Sequence, residues 1–197
     1  MTERAERLHA SHWQGVVYLT GGGSPLLSDL LSVPGASNTV LEAAVPYAAK
    51  ALSDLLGTTP EQAASNQTGR ALSMRAYQRA RDLGATEAFG IGLSASLSSS
   101  LQKKGQTRAH WAIQTAEKSS SFELLLDNAN PRSAQELQLN EAIWATIELC
   151  LLSSEQQHHA SKFAMREYSA PASWQPLLAA APYATCTQQH DGRLLLP

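Results

Sequence analysis

A three-layer α/β/α sandwich around a mixed, mostly parallel sheet is the fold class this sequence predicts, from three observations. Apolar, β-rich runs alternate with helical patterns through the first half of the chain, at "GVVYLT" (15–20), "NTVLEAAVPY" (38–47) and "EAFGIGLSA" (87–95). The first run is apolar throughout rather than alternating, as a strand covered on both faces requires. Farther on, "RAHWAIQTA" (108–116) and "SFELLLD" (121–127) flank the turn-like "EKSS" and read as a hairpin. Strands separated by helices give parallel pairing and the hairpin gives antiparallel pairing, hence a mixed sheet.

Residues 2–10 read as a short helix ahead of the first strand. Ser24-Pro25 reads as an N-cap followed by proline at the first helical position, opening "LLSDLLSV", which Pro34-Gly35 stops. Leu52, Leu55 and Leu56 recur at helical spacing in "AAKALSDLLG" (48–57), with Gly57 as its terminator. Thr59-Pro60-Glu61-Gln62 has the form of a capping box and predicts a helix from there to about Gly84, with Ala64, Leu72, Ala76 and Leu83 inward. "SLSSSLQKKGQ" reads as an exposed loop. Asn130-Pro131 opens a last helix with Leu137, Ile143, Trp144, Ile147 and Leu151 on one face. Met74, Trp111, Trp144 and Cys150 read as core, and Glu136, Glu141 and Glu148 as a helix's solvated or edge charges.

A chain of 197 residues that is 43% hydrophobic supports one domain with a sizeable core. That domain is expected over residues 1–168. From Ser169 the chain turns rich in Ala and Pro and reads as a linker or C-terminal arm, 169–197. A net charge of −2 gives no field for nucleic acid or anionic lipid. Two distant cysteines, an N-terminus without an apolar signal core and no long apolar run place the chain in the cytoplasm. His158 and His159 are adjacent and diverge on a helix, and His110 has no evident second ligand, so no metal and no cofactor are expected.

The question with functional weight is "TGGGS", 20–24. Glycines after a buried strand bring backbone amides close to a phosphate, and the following helix adds its positive end. A tight strand-to-helix turn explains the same residues. On the binding reading, Gly21, Gly22, Gly23 and the Ser24 cap hold the phosphate, at the strand ends where α/β sheets bind ligands. Tyr47, Ser94 and Ser96 line the rest, with Arg132 as charge partner.

Residues 16–57 resemble the opening of the CinA C-terminal domain family, whose known activity is nicotinamide mononucleotide deamidation. "LLSVPGAS" and "VLEAAVPYAAKALSDLLG" keep that family's order of helix, V-P-G turn, strand ending in tyrosine and helix ending in glycine. "AFGIGLSAS", "RAHWAIQT" and "NPRSAQ" fall where the family has its next strands and its last helix, so the likeness spans roughly 14–152. The family's strand ends E-S-C-T-G-G, with serine as nucleophile. Here Tyr18 stands at that serine, Val17 at the glutamate, and the family's lysine falls on Leu52 beside Lys50. Its second arginine falls on Gln135 or Glu136. A phenol replaces poorly an activated serine, so Thr20 or Ser24 would have to act in its place.

The resemblance thus implies a divergent domain that binds a phosphorylated, nucleotide-like molecule and hydrolyses an amide if it is catalytic. The alternative is an inactive regulatory or oligomerising module associated with a nucleotidylyltransferase in cis or trans. "DGRLLLP" resembles the first strand of such a domain, which opens into G-x-F-x-P-x-H-x-G-H. A homo-oligomer is the expected assembly.

Overall fold

A computed structural model describes residues 2–99, 105–152 and 163–169, and the backbone of two short strands farther on. Five helices, α1 (Thr2–His9), α2 (Ser24–Leu31), α3 (Ala49–Leu56), α4 (Asn66–Asp82) and α5 (Arg132–Ile147), surround a sheet. Its strands are β1 (Gln14–Thr20), β2 (Val40–Ala44), β3 (Ala88–Ser96), β4 (Arg108–Gln114), β5 (Lys118–Leu125) and β6 (Ala164–Ser169). They lie in the order β2-β1-β3-β4-β5-β6. The expected three layers around a mixed sheet are present. β1 pairs in parallel with β2 and β3, and the three remaining pairings are antiparallel. Four strands therefore run one way, but antiparallel contacts are the more numerous.

Alternation along the strands builds two cores. Val17, Leu19, Ile91, Leu93, Trp111, Ile113, Phe122 and Leu124 face α1, α2 and α5. Val16 and Tyr18 face the other way, against Leu52 of α3 and Leu72, Ala76 and Tyr77 of α4. The α4 layer sits very close to the sheet. A Cβ at Gly90 would lie 2.2 Å from the Ser73 carbonyl oxygen, and one at Gly92 2.1 Å from the Ser73 nitrogen, so only glycine admits the helix there.

Local chemistry moves several boundaries. The capping-box helix begins six residues later than expected: α4 starts at Asn66, and Ser65 is its N-cap, its side chain accepting the Thr68 amide. The Ser65 hydroxyl itself donates to the Gln62 carbonyl. Leu83, expected inward, is largely exposed. Leu137, also expected inward, is 64% exposed, because α5 is turned so that its Arg132–Glu136–Asn140–Trp144 stripe faces the glycine turn and α2. After Ile147 the helix widens into a single π-type turn, Glu148–Leu152. Arg4 and Arg7 of α1 pair with Glu141 and Glu148, which are thus edge charges engaged in ion pairs, Glu141 still mostly exposed.

β6, for which the sequence carries no strand pattern, reaches one residue past the boundary expected at 168 and extends the sheet past β5. Thr187–Gln188 and Leu194–Leu195 form a separate antiparallel pair within the expected arm. His158, His159, Lys103, Lys104 and Cys186 fall outside the described residues. Among the described residues no helix is long and apolar enough to cross a membrane, and no three His, Cys, Asp or Glu side chains are grouped to hold a metal.

Candidate functional site at the glycine turn

β1 and β3 end side by side, with Thr20 opposite Ser94, and the glycine turn leaves the sheet at this edge. Gly21 and Gly23 have φ of 80° and 84°, in the left-handed region. A Cβ on Gly21 would lie 1.9 Å from the Ala95 carbonyl oxygen. Glycine is thus dictated here by backbone sign and by close packing on β3, whether or not a ligand binds.

Where the turn's amides go decides what the site can hold. Gly23, not Ser24, is the N-cap of α2, and glycine offers no side-chain acceptor. The acceptor comes instead from α5: the Gly23 N–H donates to Oε2 of Glu136 at 2.7 Å. Expected as a solvated or edge charge, Glu136 has a side chain only 13% exposed. A carboxylate at the start of a helix is favoured by the helix dipole and by a charge-assisted hydrogen bond. The protein's own anion therefore sits where the sequence reading placed a phosphate.

Arg132 completes the closure. Its Nη2 donates to the Gly21 carbonyl at 3.1 Å and to Oε1 of Glu136 at 3.2 Å, and its Nη1 to the Ser98 carbonyl at 3.3 Å. Expected as a charge partner for a ligand, it is engaged with the turn and with Glu136. The neighbouring Gln135 is fully buried, accepting the Ser98 amide at 2.8 Å and donating to the Ser98 hydroxyl and the Asp127 carbonyl, both at 2.8 Å. Ser98 and Leu97, read as part of an exposed loop, are thereby fixed against α5, and Leu97 is buried.

α5 is held in this position by α2. One carboxylate oxygen of Asp29 accepts from Asn140 Nδ2 at 2.8 Å and from Trp144 Nε1 at 2.9 Å. Glu136, Asn140 and Trp144 are spaced i, i+4, i+8, so a single helical stripe makes all three contacts.

The remaining predicted site residues do not converge. Ser94, expected in the crevice, is fully buried and donates to the Ala63 carbonyl. Thr20 is buried and donates to the Pro46 carbonyl at 3.1 Å. Tyr47 is 65% exposed, and Ser96 is half-buried at the end of β3. Ser24 is exposed, and no His, Lys, Asp or Glu is bonded to it or to Thr20 among the described residues. The Gly21, Gly22 and Ser24 amides have no acceptor among the described residues. Those three N–H groups are the part of the predicted cradle left open.

Tyr18, at the position of the family's serine, belongs to a different network. Its hydroxyl donates to Oε1 of Glu42 at 2.8 Å, and Oε2 of Glu42 accepts from Arg79 Nε at 2.9 Å. Burial, then the hydrogen bond to Glu42, pushes the Tyr18 phenol up to about 12. A phenol held neutral so far above physiological pH is not a nucleophile. Glu42 is held below the usual carboxylate range, chiefly by its bond to Arg79.

The overall fold is shared with known structures. The chain is similar to the competence/damage-inducible protein CihA of Agrobacterium tumefaciens, at 18% identity and a TM-score of 0.63, over 74% of this chain and 92% of that one. The fold is CinA-like. The competence damage-inducible protein A (ComA) of Klebsiella pneumoniae is similar at 15% identity and a TM-score of 0.62, over 78% and 98% of the two chains. A CinA superfamily protein of Enterobacter cloacae is similar at 16% identity and a TM-score of 0.59, over 74% and 87%. No protein-family model matches the sequence, and no curated protein matches it. The CinA-like fold is thus carried by a sequence far from these structures, and the contacts of Glu136 and Arg132 were invisible in it. The sequence hides the need for them, because Ser24 has the look of an N-cap; with Gly23 as the actual cap and no acidic residue in the first turn, the start of α2 takes its acceptor from α5.

Proposed function

We propose that this chain is a catalytically inactive CinA-like module, with a regulatory or oligomerising role, whose glycine turn is closed by its own glutamate. The observation that carries this reading is the Glu136 carboxylate on the Gly23 amide, backed by Arg132. An incoming phosphate would meet a negative charge at the seat it needs. At ~4 Å such a repulsion is worth about 1 kcal/mol in water and about 4 kcal/mol near a protein surface. Amide hydrolysis also needs a base to activate a hydroxyl and donors for the developing oxyanion. Thr20 is committed to Pro46, Ser24 has no base among the described residues, and the Tyr18 phenol is held neutral.

The partner this module would serve is a nucleotidylyltransferase domain, in cis or in trans. That part of the proposal rests on the resemblance of "DGRLLLP" to the first strand of such domains. Self-association of the chain belongs to the same proposal.

Incubation with nicotinamide mononucleotide and measurement of ammonia tests the inactive reading. No release above the buffer blank is expected. Release that disappears in Thr20→Ala or in Ser24→Ala would overturn it and restore a hydroxyl nucleophile.

The open Gly21, Gly22 and Ser24 amides favour a second reading, in which a phosphorylated nucleotide-like ligand enters by displacing Glu136. Thermal shifts with nicotinamide mononucleotide separate the two. A shift in Glu136→Gln but not in the wild-type chain marks a closed site with binding capacity beneath it. A saturable shift in the wild-type chain marks a site that opens by itself.

A further inference from the structure

A groove of ≈ 540 Å³ runs along the flank of α4, away from the glycine turn, with Asn66, Gln67 and Arg70 on one wall and Gln114 and Ser119 beneath. The packing that makes it is set by small residues. Gly69, Gly90 and Gly92 let α4 press onto β3 and β4, where a Cβ at Gly69 would lie 3.0 Å from the His110 carbonyl oxygen. Beneath the groove the sheet carries Gln114 of β4 and Ser119 of β5, both buried polar side chains.

Arg70 is the one charged residue lining the groove, and no carboxylate lines it. Among the described residues its side chain makes no hydrogen bond and no ion pair, and its Nε is buried without an acceptor. Its guanidinium carbon lies 3.9 Å from the centre of the Tyr168 ring on β6. Stacking on an aromatic face fixes the guanidinium plane and leaves its N–H groups, which radiate in that plane, for an acceptor. A fork of that kind matches the two oxygens of a carboxylate or phosphate. The groove's volume suits a small metabolite, and its few polar groups beside the apolar Ala71 and Met74 have the make-up of a ligand site.

We propose that this groove binds a small molecule bearing an oxyanion, with Arg70 as its charge partner and the Asn66, Gln67 and Ser119 side chains as neutral hydrogen-bonding groups around it. The site is independent of the glycine turn and stands whether or not that turn ever opens.

Titration of the full chain with sodium phosphate and, separately, sodium acetate at constant ionic strength tests this, followed by ¹⁵N-resolved NMR. Saturable movement of the Arg70 Nε–H resonance, and of the Asn66, Gln67 and Ser119 backbone amides, is the expected result with at least one anion. Saturation by phosphate alone assigns phosphorylated ligands, and saturation by acetate assigns carboxylates. Arg70→Gln should weaken binding tenfold or more, read on the three backbone amides. Arg70→Lys, which keeps the charge and loses the fork, should weaken it severalfold. Arg75→Gln, on another flank of α4, should bind as the wild-type chain does. If Arg70→Gln does not fold, Tyr168→Ala, which removes the stacking partner, should also weaken binding. Non-saturating drift with both anions would overturn the proposal, as would unchanged saturation in Arg70→Gln or, where that variant does not fold, in Tyr168→Ala. Movement confined to the amides of Gly21, Gly22 and Ser24 would place the anion at the glycine turn and would overturn it equally.

Discussion

Glu136 on α5 accepts the amide of Gly23 at the start of α2, 2.7 Å away and 113 residues removed in sequence. This bond turns a glycine-rich loop with the look of an anion cradle into a helix start capped from another element. It also ties α5 to the first βα unit, far apart in sequence. The capping requirement of α2, the orientation of α5 and the occupancy of the turn are one fact seen from three sides.

Replacing Glu136 should therefore cost stability and release the turn. Glu136→Ala leaves the Gly23 amide without its charged acceptor and frees Arg132 to find another. A loss of about 1–3 kcal/mol is expected, read as a lower urea midpoint with an unchanged slope. Glu136→Gln keeps an acceptor oxygen without the charge, so it should recover part of that loss. Equal midpoints for wild type and Glu136→Ala would show that the bond contributes nothing to folding.

Glycine positions should separate by what surrounds them. Gly21→Ala meets both a φ of 80° and a carbonyl oxygen 1.9 Å from the new Cβ. A cost of about 3 kcal/mol or more is expected, since backbone would have to move. Gly57→Ala has a similar φ of 73° with nothing within 4 Å, so only the left-handed penalty of roughly 1–2 kcal/mol applies. Thermal or urea unfolding of the two variants side by side checks the ordering.

Much of the fold was legible because hydrophobic periodicity is local. β1, β3 and α3 fall close to their expected places, each with its own run of apolar residues. The β4–β5 hairpin is present with its turn at 115–117, so that Lys118, Ser119 and Ser120 of the expected "EKSS" turn belong to β5. What was missed depends on partners distant in sequence. Leu137 and Glu136 are adjacent on α5, and nothing local says that the charged one faces inward and the leucine outward. That choice is made by Asp29 and Gly23. Ser94 has the composition of a ligand-facing hydroxyl, yet Ala63 claims it. Of the candidate site, the glycine turn's geometry was readable and its occupancy was not. The groove at Arg70 gave no sequence signal, since its walls come from α4, β4 and β5 and the ring beside Arg70 from a strand without a clear apolar period.

The buried phenol gives an alkaline signature with a definite sign. Tyr18 is raised from 10.0 to about 12 in the folded chain. Between those values the unfolded chain has released the proton and the folded chain still holds it, so folding stability falls as pH rises through this window. Below pH 10 the contribution is intact. Tyr18→Phe removes the phenolic proton, so its stability should decline less steeply over the same interval. Urea midpoints at pH 9, 10 and 11 for both chains check this, and parallel curves would sink the assignment.

Two competing helix starts can be told apart by single substitutions. Thr59-Pro60-Glu61-Gln62 has the sequence form of a capping box, while Ser65 has the contacts of a cap. The Ser65 oxygen accepts the Thr68 amide at 3.2 Å, and its hydroxyl also lies 3.0 Å from that of Thr68. Ser65→Ala should cost about 1 kcal/mol by leaving the first turn of α4 with an unmet donor. Thr59→Ala should change stability by less than ~0.5 kcal/mol, as an exposed substitution outside any helix does. Hydrogen exchange at the Thr68 amide adds a local readout, with protection lost in Ser65→Ala and kept in Thr59→Ala. The reverse ordering would mean that α4 begins at the capping box after all. It would then start six residues sooner, and Ala63 would no longer be placed to accept the Ser94 hydroxyl.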